Sequence, residues 1–146
     1  MINLRTSRAD DAKALFALWD ASVRATHGFV SEADLAMYAG LVRDYYLPQT
    51  SVLVAVDERD APLGFIGVLG NRIEALFVHP ERHGQGIGRM LVDDAKAKRR
   101  ELYVDVNEQN AGARVFYERM GFRRIGRSRL DGCGRPYPIL HLIYAT

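Results

Sequence analysis

The stretch that decides the fold reads Ile73-Glu74-Ala75-Leu76-Phe77-Val78-His79-Pro80-Glu81-Arg82-His83-Gly84-Gln85-Gly86-Ile87-Gly88-Arg89-Met90-Leu91. Its first six residues are mostly apolar and predict a buried strand, which a short polar loop follows. Gly84, Gly86 and Gly88 then open a helix, where glycine lets the backbone turn tightly and approach a ligand closely. Because amides at a helix N-terminus lack partners and favour anions, the stretch predicts a phosphate or pyrophosphate site. The alternative is a tight strand-to-helix turn that binds nothing.

The chain as a whole has the size and composition of one ordinary domain. It has 146 residues, of which 48% are hydrophobic and 26% charged, and this composition excludes a disordered chain. Its net charge of +2 is too small to favour nucleic acid as the main partner. The single cysteine, Cys133, excludes an internal disulfide and is compatible with a reducing cytosol. Without a signal-peptide pattern or a long apolar run, we expect one cytoplasmic domain over 1–146 and no membrane contact.

Two amphipathic helices are predicted in the first third of the chain. Ser7 and Asp10 are candidate N-caps for the first helix, whose apolar positions recur every three or four residues up to Thr26. Ser31 is the candidate N-cap of the second helix. This second pattern continues to about residue 46, and we expect Pro48 to stop it.

Alternating and β-branched stretches predict the strands of the sheet. Close spacing and turn residues make three of them an antiparallel meander that leads into the glycine loop. The strand, helix and strand that follow imply a right-handed parallel unit. The predicted class is α/β (α+β by some schemes), with about seven strands in a mixed, mostly antiparallel sheet and the order β-α-α-β-β-β-α-β-α-β-β. The expected strands are 2–5, 51–56, 63–69, 72–78, 102–107, 122–129 and 137–144.

Two motifs, in a fixed order, support a resemblance to a known family. The first is His83-Gly84-Gln85-Gly86-Ile87-Gly88, which matches the pattern Arg/Gln-x-x-Gly-x-Gly/Ala. The second matches Asn-x-x-Ala-x-x-x-Tyr-x-x-x-Gly-Phe with Asn110, Ala113, Tyr117, Gly121 and Phe122. With these motifs the chain resembles the GNAT superfamily, whose members transfer an acetyl group from acetyl-CoA to an amine. The resemblance covers nearly the whole chain, because the strand order also agrees.

Shorter stretches are similar to small bacterial GNAT acetyltransferases of poorly defined substrate. These stretches are Ala25-Thr26-His27-Gly28-Phe29 and Asn107-Glu108-Gln109-Asn110. The chain departs from the family pattern at His83, where Arg or Gln is usual. Because a histidine can donate to phosphate but is only partly charged near neutral pH, we expect weaker cofactor affinity and retained function.

The resemblance implies which residues hold acetyl-CoA, with no metal required. The amides of the glycine loop are expected to bind pyrophosphate, and Arg89 is a candidate contact for a phosphate. Backbone groups of Leu76 to Val78 are expected to pair with the pantetheine arm, where the two central parallel strands splay apart. The expected cofactor-binding residues are Leu76, Phe77, Val78, His83, Gly84, Gln85, Gly86, Ile87, Gly88, Arg89, Asn110, Ala113, Phe116 and Tyr117.

Tyr117 is the expected catalytic acid. It follows Asn110 by seven residues, or two helical turns, so both side chains can face one groove. The resemblance assigns Asn110 to the pantetheine and Tyr117 to protonation of the leaving thiolate. Core packing of the Tyr117 ring, with its hydroxyl at the surface, is the alternative. Phe116 is also a candidate for the core.

The general base is open among three residues. An amine arrives mostly protonated at neutral pH and has to lose a proton. Glu74 lies on the strand that guides the thioester, and Asp105 lies on the next strand, where Asn107 could orient the amine or a water. His27 ends the first helix near the expected acceptor site. It is either a base or acceptor contact, or a helix-terminal histidine stabilised by the dipole.

We therefore expect an acetyl-CoA-dependent N-acetyltransferase that transfers the acetyl group directly to a primary amine in a ternary complex. The acceptor is a small molecule, a protein N-terminus or a lysine side chain, and a homodimer is compatible with the family. A non-catalytic module that binds CoA or acyl-CoA is the alternative, and it would not need Tyr117. Nucleic acid is not an expected partner.

Overall fold

A seven-stranded mixed sheet runs through the computed structural model, which describes residues 1–146. The spatial order is β1-β2-β3-β4-β5-β7-β6, and only β4 and β5 are parallel neighbours. This arrangement confirms the predicted class and strand number. The strands are β1 (Asn3–Thr6), β2 (Leu53–Val56), β3 (Pro62–Leu69), β4 (Arg72–Val78), β5 (Glu101–Asn107), β6 (Arg123–Ser128) and β7 (Ile139–Ala145).

Helices cover both faces of the sheet. A π-helical turn over Val42–Tyr46 joins the second helix to the third, and Pro48 lies in the first turn of that third helix. The helical path passes Pro48 and ends at Gln49, so the prediction that Pro48 stops it was wrong by one residue. The first turn of a helix tolerates a proline. None of the helices is both long and apolar enough to cross a membrane. The helices are α1 (Ala12–Thr26), α2 (Glu32–Leu41), α3 (Leu47–Gln49), α4 (Ile87–Ala97) and α5 (Ala111–Arg119).

The N-caps were predicted correctly for α2 but not for α1. Ser31 Oγ accepts from the Asp34 amide at 3.1 Å, as expected. Ser7 Oγ instead accepts from the Val52 amide at 3.0 Å, which ties the chain to the start of β2. A 3₁₀ turn over Ala9–Asp11 precedes α1 and includes Asp10, so neither Ser7 nor Asp10 caps the helix.

Asp11 fixes this turn to the sheet by an ion pair. Its Oδ2 accepts from Arg5 Nη1 at 2.7 Å and from the Arg8 amide at 2.6 Å, and the Asp11 side chain is 10% exposed. The Arg5 guanidinium lowers the pKa of Asp11 from 3.8 to about 2, against the opposing effect of burial. A carboxyl whose pKa falls on folding stabilises the protein above its unfolded pKa. This contribution is lost as the pH falls from about 4 toward 2.

Asp11→Asn is therefore expected to lower the free energy of unfolding by about 1–2 kcal/mol at pH 7, since a hydrogen-bonded charge pair is broken. Urea denaturation at pH 7 and at pH 3 measures the effect, which should shrink at the lower pH. Asp60 is the matched control, because it binds the same Arg5 but its side chain is 51% exposed. Asp60→Asn should cost less than about 1 kcal/mol. Equal costs for the two variants at both pH values would contradict this account.

The apolar core forms two layers, one on each face of the sheet. On one face α4 and α5 pack against the sheet, and the layer includes Ile87, Leu91 and Val104. On the other face α1 and α2 pack against β2, β3 and β4, and the layer includes Trp19 and Phe65. No residue of β5, β6 or β7 belongs to this second layer, so that part of the face is not covered by a helix.

The parallel pair at the centre of the sheet opens along its length. β4 and β5 pair only at Arg72 with Tyr103 and at Ile73 with Val104, although both strands continue for several residues. In the pairing with β3, Ile73 and Ala75 face consecutive residues, so Glu74 is an extra bulged residue. The bulge lies where the strands part, and the splayed central strands expected from the sequence are confirmed.

Candidate active site

A cavity of about 540 Å³ lies between the end of β4, the glycine loop and α5. This volume lies within the range of small-molecule sites. The cavity brings together both motifs identified in the sequence, which are separated by an intervening helix and strand. It is lined by Thr26, His27, Leu76, Phe77, Val78, Arg82, His83, Gly84, Gly86, Ile87, Gly88, Arg89, Asn110, Gly112, Ala113, Val115, Phe116, Tyr117, Arg119 and Met120.

The glycine loop has the backbone conformation that its glycines suggest. Gly84 and Gly86 have φ angles of +80° and +81°, in the left-handed region that side chains disfavour. Gly88 is needed for a different reason, since a Cβ there would lie 3.3 Å from the Phe116 ring. The Met90 amide makes the first helical hydrogen bond, to Gly86 O at 3.0 Å. The amides before it have no partner within α4 and are free to bind an anion.

Three arginines line the same cavity: Arg82, Arg89 and Arg119. They bring positive charge to the region of the free amides, as a site for CoA phosphates requires. His83 lies at the cavity wall, but its Nε2 is 3.0 Å from Val78 O. A carbonyl only accepts, so Nε2–H is the donor and the ring is bonded to the end of β4.

α5 presents Asn110 and Tyr117 to the cavity. Asn110 is the N-cap of α5, and its Oδ1 accepts from the Ala113 amide at 3.1 Å. Its NH₂ group remains free to donate to a ligand. Tyr117 is 5% exposed, and its ring packs edge-on against Phe116 and Phe122. Burial alone raises the pKa of Tyr117, so its hydroxyl keeps its proton across the physiological pH range and can donate it.

His27 reaches the cavity from the end of α1. Thr26 Oγ1 donates to Ser22 O at 2.8 Å, so it can only accept from His27 Nδ1, which lies 2.7 Å away. The Asn107 side chain lies near the His27 ring. Burial lowers the pKa of His27, and the nearby Asn107 side chain partly offsets this effect.

Four of the expected site residues do not line this cavity. Gln85 Oε1 lies 3.4 Å from Arg82 Nη1 at the surface of the loop. Asn107 lies near the His27 ring without lining the cavity itself, and Asp105 binds Arg72 and a histidine of β7. Glu74 faces a separate cavity of about 210 Å³ on the α1 side, together with Trp19, Leu41, Val42, Tyr46, Phe65, Ala75 and Phe77.

Some lining residues were not predicted from the sequence. Thr26 and Arg82 belong to no motif. The only sequence signal for them is that each directly precedes a predicted site residue, His27 or His83. Gly112 and Val115 lie between motif positions on α5, where helical periodicity with Asn110 and Ala113 gives a weak signal. No group of three or more His, Cys, Asp or Glu residues is arranged to hold a metal ion.

The family model for the acetyltransferase (GNAT) domain matches residues 48–124. The chain belongs to the GNAT acetyltransferase family. It is 47% identical over 144 residues to the peptidyl-lysine N-acetyltransferase YjaB of Salmonella typhimurium, a match that covers 99% of each chain. It is 44% identical to the peptidyl-lysine N-acetyltransferase YjaB of Escherichia coli, and the match covers 99% of this chain and 97% of the relative. This GNAT protein is therefore an N-acetyltransferase of a family that uses acetyl-CoA.

Solved structures agree with this family. The solution structure of apo-form YjaB from Escherichia coli has a TM-score of 0.93 and 44% identity, over 99% of this chain and 97% of that one. The PaiA N-acetyltransferase of Thermoplasma acidophilum, solved in complex with coenzyme A, has a TM-score of 0.81 at 20% identity. That match covers 100% of this GNAT chain and 99% of the other, and at this identity it supports the fold alone.

Proposed function

We propose that this GNAT enzyme transfers the acetyl group of acetyl-CoA directly to the side-chain amine of a protein lysine, within a ternary complex. The observation that supports this most is the joint placement of the glycine loop and Tyr117 on one cavity. The two relatives of 47% and 44% identity are named peptidyl-lysine N-acetyltransferases, which favours lysine over a small amine as the acceptor. We also propose that 1–146 acts as one domain and is cytoplasmic, since an exposed free Cys133 suits a reducing compartment.

The phosphate end of acetyl-CoA fits the glycine loop. The free amides of α4 and the side chains of Arg82, Arg89 and Arg119 supply donors and positive charge for the pyrophosphate and the further phosphate. His83 Nε2 donates to Val78 O, so this nitrogen is not free to bind a phosphate. The backbone amides and the three arginines therefore bear most of the phosphate binding.

His83→Arg tests how much the side chain at position 83 contributes to phosphate binding. Arginine is always charged, so the variant is expected to bind CoA about threefold more tightly at low ionic strength, with the gain shrinking at high salt. Calorimetric titration of CoA into the wild type, His83→Arg and His83→Ala measures it. His83→Ala should stay close to the wild type. A large loss in His83→Ala would show instead that the histidine itself binds phosphate.

The pantetheine arm fits the open edge of β4. β4 pairs with β3 on one side, but beyond Ile73 it has no strand partner on the β5 side. Backbone groups of Leu76 to Val78 that point toward β5 are therefore free to bond an extended ligand, as a sheet edge bonds an added strand. The amides of this pantetheine arm then lie beside the Asn110 NH₂ group. This placement directs the thioester carbonyl into the gap between β4 and β5.

Tyr117 serves as the general acid. When the lysine nitrogen attacks the thioester carbon, the C–S bond breaks and the sulfur leaves as a thiolate, which needs a proton. Tyr117 lines the cavity, and its hydroxyl keeps its proton because burial raises its pKa. No covalent acetyl-enzyme is required when both substrates are bound together.

A non-catalytic CoA-binding module is the second candidate, because the glycine loop alone would suffice for it. Incubation with acetyl-CoA and a lysine peptide distinguishes the two, with release of CoA thiol and a mass gain of one acetyl group as readouts. A spermidine sample and a peptide with only a free N-terminus identify the amine class. Saturable CoA binding without acetylation of any of these amines would favour the binding module.

A further inference from the structure

The cavity that holds both motifs reaches both faces of the sheet. On one face it is lined by Ile87 of α4 and Tyr117 of α5, which belong to the core layer on that side. On the other face it is lined by Thr26 and His27 at the end of α1, the helix that packs into the opposite layer. β4 and β5 pair no further than Ile73, so the two faces communicate where these strands part. With acetyl-CoA on the glycine loop, the α1 face is left as the approach for an acceptor amine.

The residues that line this cavity include no aspartate or glutamate. The lining side chains that titrate or carry charge are His27, Arg82, His83, Arg89, Tyr117 and Arg119. The arginines stay charged and accept no proton, and Tyr117 keeps its own proton. His83 lies on the glycine loop, at the phosphate end, and its Nε2 already donates to Val78 O. His27 is therefore the lining residue that is left to accept a proton from an amine.

Hydrogen bonding at the end of α1 leaves His27 Nε2 with a free lone pair. Thr26 Oγ1 gives its proton to Ser22 O, so at 2.7 Å it accepts the proton on His27 Nδ1. An unprotonated imidazole carries one proton, and with that proton on Nδ1 the other ring nitrogen is an acceptor. Because Nδ1 is bonded back to the helix, Nε2 is the nitrogen available to a ligand. This fixed tautomer is the form that a general base needs.

Aromatic packing holds the His27 ring in place. The centroid of the Phe29 ring lies 5.4 Å from that of His27 and 6.0 Å from that of Tyr137. The Tyr137 hydroxyl accepts from the Ser31 amide at 3.0 Å and donates to Asp34 Oδ2 at 2.5 Å, which fixes the Tyr137 ring. A base that is already held in one orientation loses little entropy when the amine arrives.

Burial and Asn107 set the proton affinity of His27. Burial lowers its pKa, so Nε2 stays unprotonated to a lower pH than in an ordinary histidine, and the nearby Asn107 side chain partly offsets this effect. On the same helix Arg24 is paired with Asp20. The other charged and titratable side chains, which share the cavity with His27 or pack behind Phe29, are Arg82, His83, Arg89, Tyr117, Arg119 and Tyr137. None of these groups shifts the pKa of His27.

We propose that His27, positioned by Thr26, is the general base that accepts the proton an acceptor lysine has to lose before it attacks. This proposal rests on the proposed acetylation of an amine. One ammonium N–H bond breaks as its proton moves to His27 Nε2, and the freed electron pair of the nitrogen attacks the thioester carbon. The C–S bond breaks, Tyr117 protonates the thiolate, and the nitrogen gives its second proton back to the Tyr117 phenolate. The imidazolium releases its proton to solvent, so each turnover yields acetyl-lysine, CoA thiol and H⁺.

His27→Gln tests the proposal through the pH dependence of kcat at saturating peptide. At pH 7 kcat is expected to fall about 100-fold with unchanged affinity for CoA, since glutamine takes up no proton and a general base is lost. The wild type starts from the ammonium form, so its kcat should be level between about pH 7 and pH 9. The variant needs the free amine, so its kcat should rise about tenfold per pH unit toward the pKa of lysine.

The basicity of the acceptor gives a second readout. S-aminoethylcysteine has a side chain of similar length to lysine and a less basic amine. A peptide that carries it in place of lysine should therefore show a smaller defect in His27→Gln at pH 7. Added imidazole should also restore part of the rate of His27→Ala.

Thr26→Val tests the positioning role of Thr26, because valine has a similar shape but no acceptor for Nδ1–H. Its kcat is expected to fall about three- to tenfold with the KM for the peptide unchanged, the effect of losing one hydrogen bond. Thr26→Ser keeps the hydroxyl and should restore most of this rate. The control is His79→Gln, the same change in a histidine that does not line the cavity and whose Nδ1 accepts from the Glu81 amide, and it should keep the wild-type rate.

Two results would overturn the proposal while acetylation by the wild type left the proposed function standing. The first is a wild-type kcat for His27→Gln at pH 7. The second is a defect of equal size at every pH and for both amines, which would show that His27 only contacts the acceptor or supports the fold. Failure of the wild type to acetylate any amine would instead remove the proposed function, and this proposal with it.

Discussion

Tyr117→Phe is expected to lower kcat for lysine acetylation by about 10²- to 10³-fold and to leave the dissociation constant of CoA nearly unchanged. The substitution removes one hydroxyl, and the general acid that it supplies is worth this much in rate. The ring is expected to stay in place, because its contacts with Phe116 and Phe122 do not involve the hydroxyl. Steady-state rates of CoA thiol release, together with calorimetric titration of CoA, separate the two effects.

The pH dependence of the wild type gives a second test of this role. Burial raises the pKa of Tyr117, so its protonated form persists at pH values where an ordinary tyrosine begins to ionise. No loss of rate from this group is therefore expected up to about pH 10, the ordinary range of tyrosine. Tyr103 is the control residue, because it bonds to Glu101 at the surface and Tyr103→Phe should keep the wild-type rate. A wild-type rate in Tyr117→Phe would show that water, and not Tyr117, protonates the leaving thiolate.

The parts of the site that are local in sequence could be predicted, and those that depend on strand pairing could not. The glycine loop and the Asn110–Tyr117 pair each lie within one loop or one helix, so spacing alone places their members together. Alternation along β5 and β7 indicates which residues share a face but not which residues are opposite each other. The pairing of Asp105 with His141, and therefore the hydrogen bond between their side chains, depends on that register.

Competition among nearby hydrogen-bond donors and acceptors explains why the predictions for Ser7 and His83 differ from the structure. Ser7 was expected to cap α1, yet the Val52 amide from a distant strand takes its hydroxyl. His83 matches the family position for a phosphate ligand, yet its ring donates to Val78 O. In both cases a hydrogen-bonding side chain has several partners within reach, and only the folded structure decides among them.

Gly67→Ala is expected to destabilise the protein by about 2–3 kcal/mol, the upper range for overpacking a buried site. A Cβ at Gly67 of β3 would lie 1.9 Å from the Tyr46 hydroxyl oxygen, which occupies the space above the strand. Tyr46 is held by the π-helical turn between α2 and α3, so its ring cannot retreat without moving that turn. Urea denaturation monitored by Trp19 fluorescence gives the free energy of unfolding.

Tyr46→Phe provides the compensating change. The Tyr46 hydroxyl is buried without a hydrogen-bond partner, and burial followed by the charge of Glu74 raises its pKa to about 12. Removing this unpaired hydroxyl is therefore expected to leave stability unchanged or to raise it by about 1 kcal/mol. In the double variant the nearest ring atom to the new Cβ would be Tyr46 Cζ at 3.2 Å, and the cost of Gly67→Ala should fall by at least about 1 kcal/mol. Additive costs in the double variant would show that the hydroxyl does not cause the clash.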